Sequence, residues 1–165
     1  MNENYIVING KKIELTEEHL KALGIERKNP FRRLKNDAAG CYYYINEFGN
    51  ITFGYESGIS GNEKKYNNVN YFTDEQFAKQ VALHQLLYRK LLKFAYDNEA
   101  ADTLEWDAKN IHYGIFYDCS YHKFVLEFAK NYKSDWVYFS SKEAAERALK
   151  DVVEPFLKEH PEFVW

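Results

Sequence analysis

A chain of 165 residues has the size of one domain with a full hydrophobic core. Its 45% hydrophobic and 28% charged residues argue against a disordered tail, a collagen-like rod and a membrane protein. The formal charge of -3, from 22 basic and 25 acidic side chains, argues against an acidic nucleic-acid mimic and a polybasic DNA coat. The aromatic content is high, with 14 Tyr, 12 Phe and 3 Trp, which favours strands.

The N-terminal stretch from Met1 to Lys12 has no apolar run of a secretory type, and no segment has the length of a membrane span. Cys41 and Cys119 form neither a disulfide framework nor a complete zinc set. The expectation is a cytoplasmic protein with no membrane contact. Asn9-Gly10 between Tyr5–Ile8 and Ile13 predicts a first hairpin. Thr16 as N-cap, Glu17 and Glu18 in the first turn and Gly24 as closer predict a short helix with Leu20 and Leu23 on its apolar side.

A basic stretch from Glu26 to Asn36 follows, carrying Arg27, Lys28, Arg32, Arg33 and Lys35 around Asn29-Pro30-Phe31. Tyr42–Ile45 and Ile51–Tyr55 read as strands joined by the turn Asn46–Asn50, with Ile51, Phe53 and Tyr55 on one face. Glu56–Asn68, with little apolar content and two lysines, Lys64 and Lys65, reads as a mobile surface loop, and Val69–Phe72 as a third strand. Thr73-Asp74-Glu75-Gln76 is a capping box opening a long central helix, whose stripe is Phe77, Val81, His84, Tyr88, Leu91 and Ala95.

Beyond Asp97-Asn98, Ile111–Tyr117 and Lys123–Phe128 predict a second hairpin around Asp118-Cys119-Ser120, and Trp136–Phe139 another strand. Ser140-Ser141-Lys142-Glu143 is a second capping box, leading into a final helix that Pro155 should kink or shorten. Tyr71–Ala78 aligns with Tyr138–Ala145 as a weak internal repeat: aromatic strand end, N-cap, capping partner, packed alanine. Duplication and convergence on strand-to-helix chemistry both account for it. The expected architecture is α+β, with antiparallel strands and a long central helix and a C-terminal helix packed on one face. One domain over residues 1–165 is expected, with 1–98 and 99–165 as sub-lobes.

Leu15–Ile25, Asn29-Pro30-Phe31, Tyr42-Tyr43-Tyr44-Ile45, Asn70-Tyr71-Phe72-Thr73 and Tyr138-Phe139-Ser140-Ser141 together resemble a group of small proteins encoded by phages and prophages of Gram-positive bacteria. The resemblance implies a mobile-element accessory protein, a class that includes anti-CRISPR proteins and other inhibitors of host defence, acting by stoichiometric binding in the bacterial cytoplasm.

Catalytic and metal readings are weaker. Cys119 and His122, with His112 or Cys41 as completions, form only a fragment of a zinc set. A Cys119 nucleophile with His112 or His122 as base lacks an oxyanion hole. Glu105 and Asp107 flank Trp106, but alternation simply puts both acids in solvent and the indole in the core. No enzyme, cofactor or metal is expected. The basic stretch with neighbouring aromatics is the candidate surface: Arg27, Lys28, Arg32, Arg33, Lys35, Lys64 and Lys65 supply charge, Tyr42 and Tyr44 a stacking face or rigid anchor. The expected partner is a host protein or ribonucleoprotein complex such as a CRISPR effector nuclease. A small nucleic-acid-binding regulator and a virion-associated structural protein are the alternatives, and a homodimer through the Tyr5–Leu15 hairpin stays open.

Overall fold

The computed structural model describes residues 5–8, 10–23, 29–35 and 40–164, the side chains at 8, 17 and 21 excepted. Among these residues, seven strands fall into three antiparallel sheets, and a 23-residue helix runs through the middle of the chain, as the α+β expectation requires. β1 (Tyr5–Ile8) and β2 (Lys11–Glu14) form the first hairpin, and α1 (Glu17–Ala22) follows. Thr16 caps α1 by accepting from His19 N–H at 3.2 Å. Leu20 is buried there, whereas Leu23 is exposed. Asn9 and Gly24, the predicted turn and closing residues, lie outside the described residues.

β3 (Cys41–Ile45) and β4 (Ile51–Tyr55) pair as predicted, Tyr43 opposite Phe53. The predicted mobile loop is corrected: residues Ser60–Asn67 form a helix, α2. It escaped the sequence reading because it lacks an apolar stripe; its buried side chain is Asn62. The predicted strand Val69–Phe72 is corrected too. Val69 has φ of 56°, which breaks extension, and only Phe72 pairs with β3, through Tyr43. The carboxamide of Asn70 takes the place of a further strand residue: Ile45 N–H donates to Oδ1 at 2.8 Å, and Nδ2 donates to Ile45 C=O at 2.7 Å.

α3 (Glu75–Asp97) is capped one residue later than predicted, by Asp74 accepting from Phe77 N–H at 2.9 Å. Its buried side is Ala78, Ala82, Leu87, Leu91 and Ala95, so the predicted stripe holds at Leu91 and Ala95 and the wider apolar surface expected around it at Ala78 and Leu87, whereas Phe77 and Tyr88 are about a third exposed. The helix packs on β3 and β4, and near its start the Phe77 ring meets Phe31 and Phe72. The second half of α3 enters the main core with Ile115, Val137, Phe139, Ala144, Ala145, Ala148, Val153 and Phe156.

β5 (His112–Asp118) and β6 (Lys123–Ala129) form the second hairpin, and β7 (Tyr138–Phe139), shorter than the predicted Trp136–Phe139, pairs with the free side of β5. α4 (Lys142–Ala148) starts at Ser141, which accepts from Ala144 N–H, so the predicted cap at Ser140 moves by one. A π-helical turn over Leu149–Val153 then leads into α5 (Glu154–Glu159). α4, this wide turn and α5 are one continuous helical run, with helical backbone angles at Ala148, Leu149, Val153 and Glu154, so Pro155 lies inside it; the expected disturbance takes the form of the π turn just before the proline, and the run continues to Glu159.

The two halves are built alike. Phe72 pairs with Tyr43 of β3 as Phe139 pairs with Tyr113 of β5. Each phenylalanine is followed two residues on by the true N-cap, Asp74 or Ser141, and each helix then buries an alanine completely, Ala78 or Ala145.

Candidate functional site

Among its described residues, the basic stretch is tied down at Pro30, Phe31, Arg33 and Leu34. Thr73 N–H donates to Pro30 C=O at 2.7 Å, and the Phe31 ring packs on Phe72 and Phe77 with centroids 5.4 and 5.2 Å away. Leu34 N–H donates to the Tyr71 hydroxyl, and Arg33 Nε donates to Glu56 Oε2 at 3.2 Å. Glu56 is the centre of this arrangement. Its buried carboxylate also accepts from Gly58 N–H at 2.9 Å, Asn62 Nδ2 at 3.2 Å and the Tyr71 hydroxyl at 3.1 Å. Burial pushes the Glu56 pKa up, but the Gly58, Arg33, Asn62 and Tyr71 donors outweigh it and hold the group down at about 2. Tyr71 is pushed up to about 12, chiefly by burial and also by its bond to the Glu56 carboxylate. The same Glu56 contact raises the Arg33 pKa.

This network locks α2 onto β3 and β4. Asn62 donates to Tyr55 C=O and accepts from the Tyr42 hydroxyl at 2.9 Å. The Tyr42 ring stacks on Tyr71 at 4.1 Å and 12°. With only 2% of its surface exposed, Tyr42 cannot serve as a stacking face for a partner, which corrects that expectation. Tyr44 is half-buried, with Lys65 Nζ 4.3 Å from its ring centroid. On the same helix, Tyr66 lies under the Arg33 guanidinium at 5.5 Å and meets Tyr71 edge-on.

Of the predicted surface, the structure therefore brings Arg33, Lys65 and Tyr44 around α2. Arg32, Lys35 and Lys64 are exposed. Arg27 and Lys28 lie outside the described residues. Sequence reading missed Glu56, Asn62, Tyr66 and Tyr71; a lone acid in a polar run carries no signal until the fold supplies its donors.

The other clusters resolve differently. His112 is fully buried, bonded through Nδ1 to Asp102 Oδ2 at 2.5 Å and stacked on Trp106 at 3.6 Å. It opens β5 while Cys119 follows that strand's far end, about 20 Å away at the usual rise per residue, so the two are not partners. Asp107 accepts from Lys109 and Asn110 N–H, the Lys109 bond chiefly lowering its pKa, the opposite of a poised general acid. Glu105 is exposed and Trp106 half-buried. Among the described residues, no group of three or more His, Cys, Asp or Glu side chains is placed to hold a metal ion, and no helix is long and apolar enough to cross a membrane. A cleft of about 640 Å³ lies between the β5–β6 hairpin and the C-terminal helices, lined mainly by Phe124, Leu149, Val153, Leu157 and Phe163. The terminal segment beside it is clamped to α3: Gln80 bonds Glu162 C=O and Val164 N–H, and His84 Nε2 meets Val164 C=O at 2.9 Å.

Known protein families, curated proteins and solved structures provide no match to this chain.

Proposed function

We propose that the protein is a non-catalytic binding protein whose contact surface is α2 with the neighbouring basic segment. The observation that supports this reading is the pairing of cations with aromatic rings, Lys65 with Tyr44 and Arg33 with Tyr66, on a helix held rigid by the Glu56 network. Fixed aromatics and arginine suit a protein interface because little side-chain entropy is lost on contact. Exposed Arg32, Lys35 and Lys64 extend the surface and favour a partner with an acidic patch. The resemblance to phage-encoded proteins directs the reading to a host defence complex, such as a CRISPR effector nuclease, blocked by occlusion in the bacterial cytoplasm.

Affinity capture from a phage-susceptible lysate, with and without nuclease, tests the proposal. A stoichiometric protein complex that survives nuclease is the expected result. Recovery of nucleic acid alone, with affinity falling steeply as salt rises, makes the protein a nucleic-acid-binding regulator instead.

A further inference from the structure

Among the described residues, no strand pairs with the outer edge of β4. Tyr43 donates its N–H to Phe72 C=O and accepts from Phe72 N–H, so both of its backbone groups face away from β4. In an antiparallel ladder the residue directly opposite then also turns its backbone groups outward. Phe53, opposite Tyr43, therefore presents N–H and C=O on the far side of β4, and Ile51 and Tyr55 do the same by the two-residue period. Asn62 meets the Tyr55 carbonyl; among the described residues, the Phe53 backbone groups have no partner.

The side chains of these residues also share one face, on which Phe53 is 60% and Tyr55 66% exposed and Ile51 is half-buried. Natural edges are commonly guarded by charge, proline or a bulge. β6 carries Lys123 and Glu127, and β2 carries Lys11, Lys12 and Glu14, yet no charged residue or proline occurs from Phe48 to Tyr55.

We infer that β4 pairs with β4 of a second copy of this chain, antiparallel and two-fold symmetric about Phe53. A two-fold axis normal to a sheet requires opposed residues on the same face, and centring on Phe53 meets that condition with the outward backbone groups. Phe53 then exchanges both hydrogen bonds with its symmetry mate, and Ile51 opposes Tyr55 on either side. Any charge at the centre would face its own copy, and the neutral strand avoids that repulsion. Phe53 and Tyr55 together expose about 250 Å² of aromatic surface per copy. Even with the strand backbones added, the interface stays under the ~1,200 Å² that bounds weak complexes, so the dimer is a weak, reversible one.

Sedimentation of the full chain across a concentration series tests this. A weak, reversible dimer is expected, and Phe53→Lys raises its dissociation constant at least about tenfold by setting like charges on the axis. Phe128→Lys, at the equivalent position of the second hairpin, leaves it unchanged. Circular dichroism and the melting temperature check that both variants fold. In a Cys41→Ser, Cys119→Ser background, Phe53→Cys should give a covalent dimer with a short bismaleimide, and Phe128→Cys should not. A protein that stays monomeric throughout, or a dimer that Phe53→Lys leaves intact, overturns the inference.

Discussion

Glu56 has four donors from four separate places in the chain: Gly58, Arg33, Asn62 and Tyr71. Replacing it with alanine strands those donors in a buried site and should cost about 3 kcal/mol in urea denaturation. The pH dependence has a definite sign. Held near 2 against an ordinary 4.5, Glu56 contributes stability present above about pH 4.5 and lost as pH falls toward 2. Tyr71, raised to about 12 from 10, contributes stability present below pH 10 and lost as pH rises through 12. Melting temperature should therefore fall in both windows, and Glu56→Gln should flatten the acid limb. This network was invisible in the sequence, which reads Arg33 as a free contact residue; the structure makes it a tie between the basic segment and α2. Replacing Arg33 would confound binding with folding, so Arg32 and Lys64 are the cleaner probes of the surface.

The elements form for reasons mostly written in local sequence. Turn residues and strand-like runs mark all three hairpins, and capping residues mark both main helix starts to within one position. Cap identity is testable: Asp74→Ala and Ser141→Ala should each cost about 1 kcal/mol by thermal denaturation, since each removes an acceptor from a first-turn N–H. Tertiary context decided the rest. α2 has no apolar stripe and exists because Asn62 reaches into the Glu56 site. α3 buries the small Ala78 and Ala82 and sets Phe77 beside them, against the Phe31 and Phe72 rings. Gly54 shows the same constraint in a strand: an added Cβ would lie 2.9 Å from the Tyr42 ring. Gly54→Ala should cost roughly 1–3 kcal/mol through overpacking, read in urea denaturation, and should loosen α2 through the Tyr42–Asn62 bond.

At the scale of the whole molecule, each half joins a hairpin, a phenylalanine that pairs with it and a capped helix, and α3 packs on β3 and β4 while its second half enters the main core. The repeat seen as an alignment of Tyr71–Ala78 with Tyr138–Ala145 is matched by equivalent pairings, Phe72 with Tyr43 and Phe139 with Tyr113. The units differ in what they present. The first has the cation–aromatic helix and the uncharged open edge; the second buries His112 against Asp102 and Trp106 and guards its edge with Lys123 and Glu127. Both candidate contact surfaces thus belong to the first unit. The sequence reading found the basic side of it through composition, but not the edge, because strand order and backbone direction are set by the fold.

The binding account is tested most directly by comparing capture by the wild-type chain with capture by an Arg32→Glu, Lys64→Glu variant from nuclease-treated lysate. The account predicts that the variant keeps its melting temperature and loses most of the stoichiometric partner, a drop of at least about tenfold in recovery. Full recovery by a folded variant would contradict it.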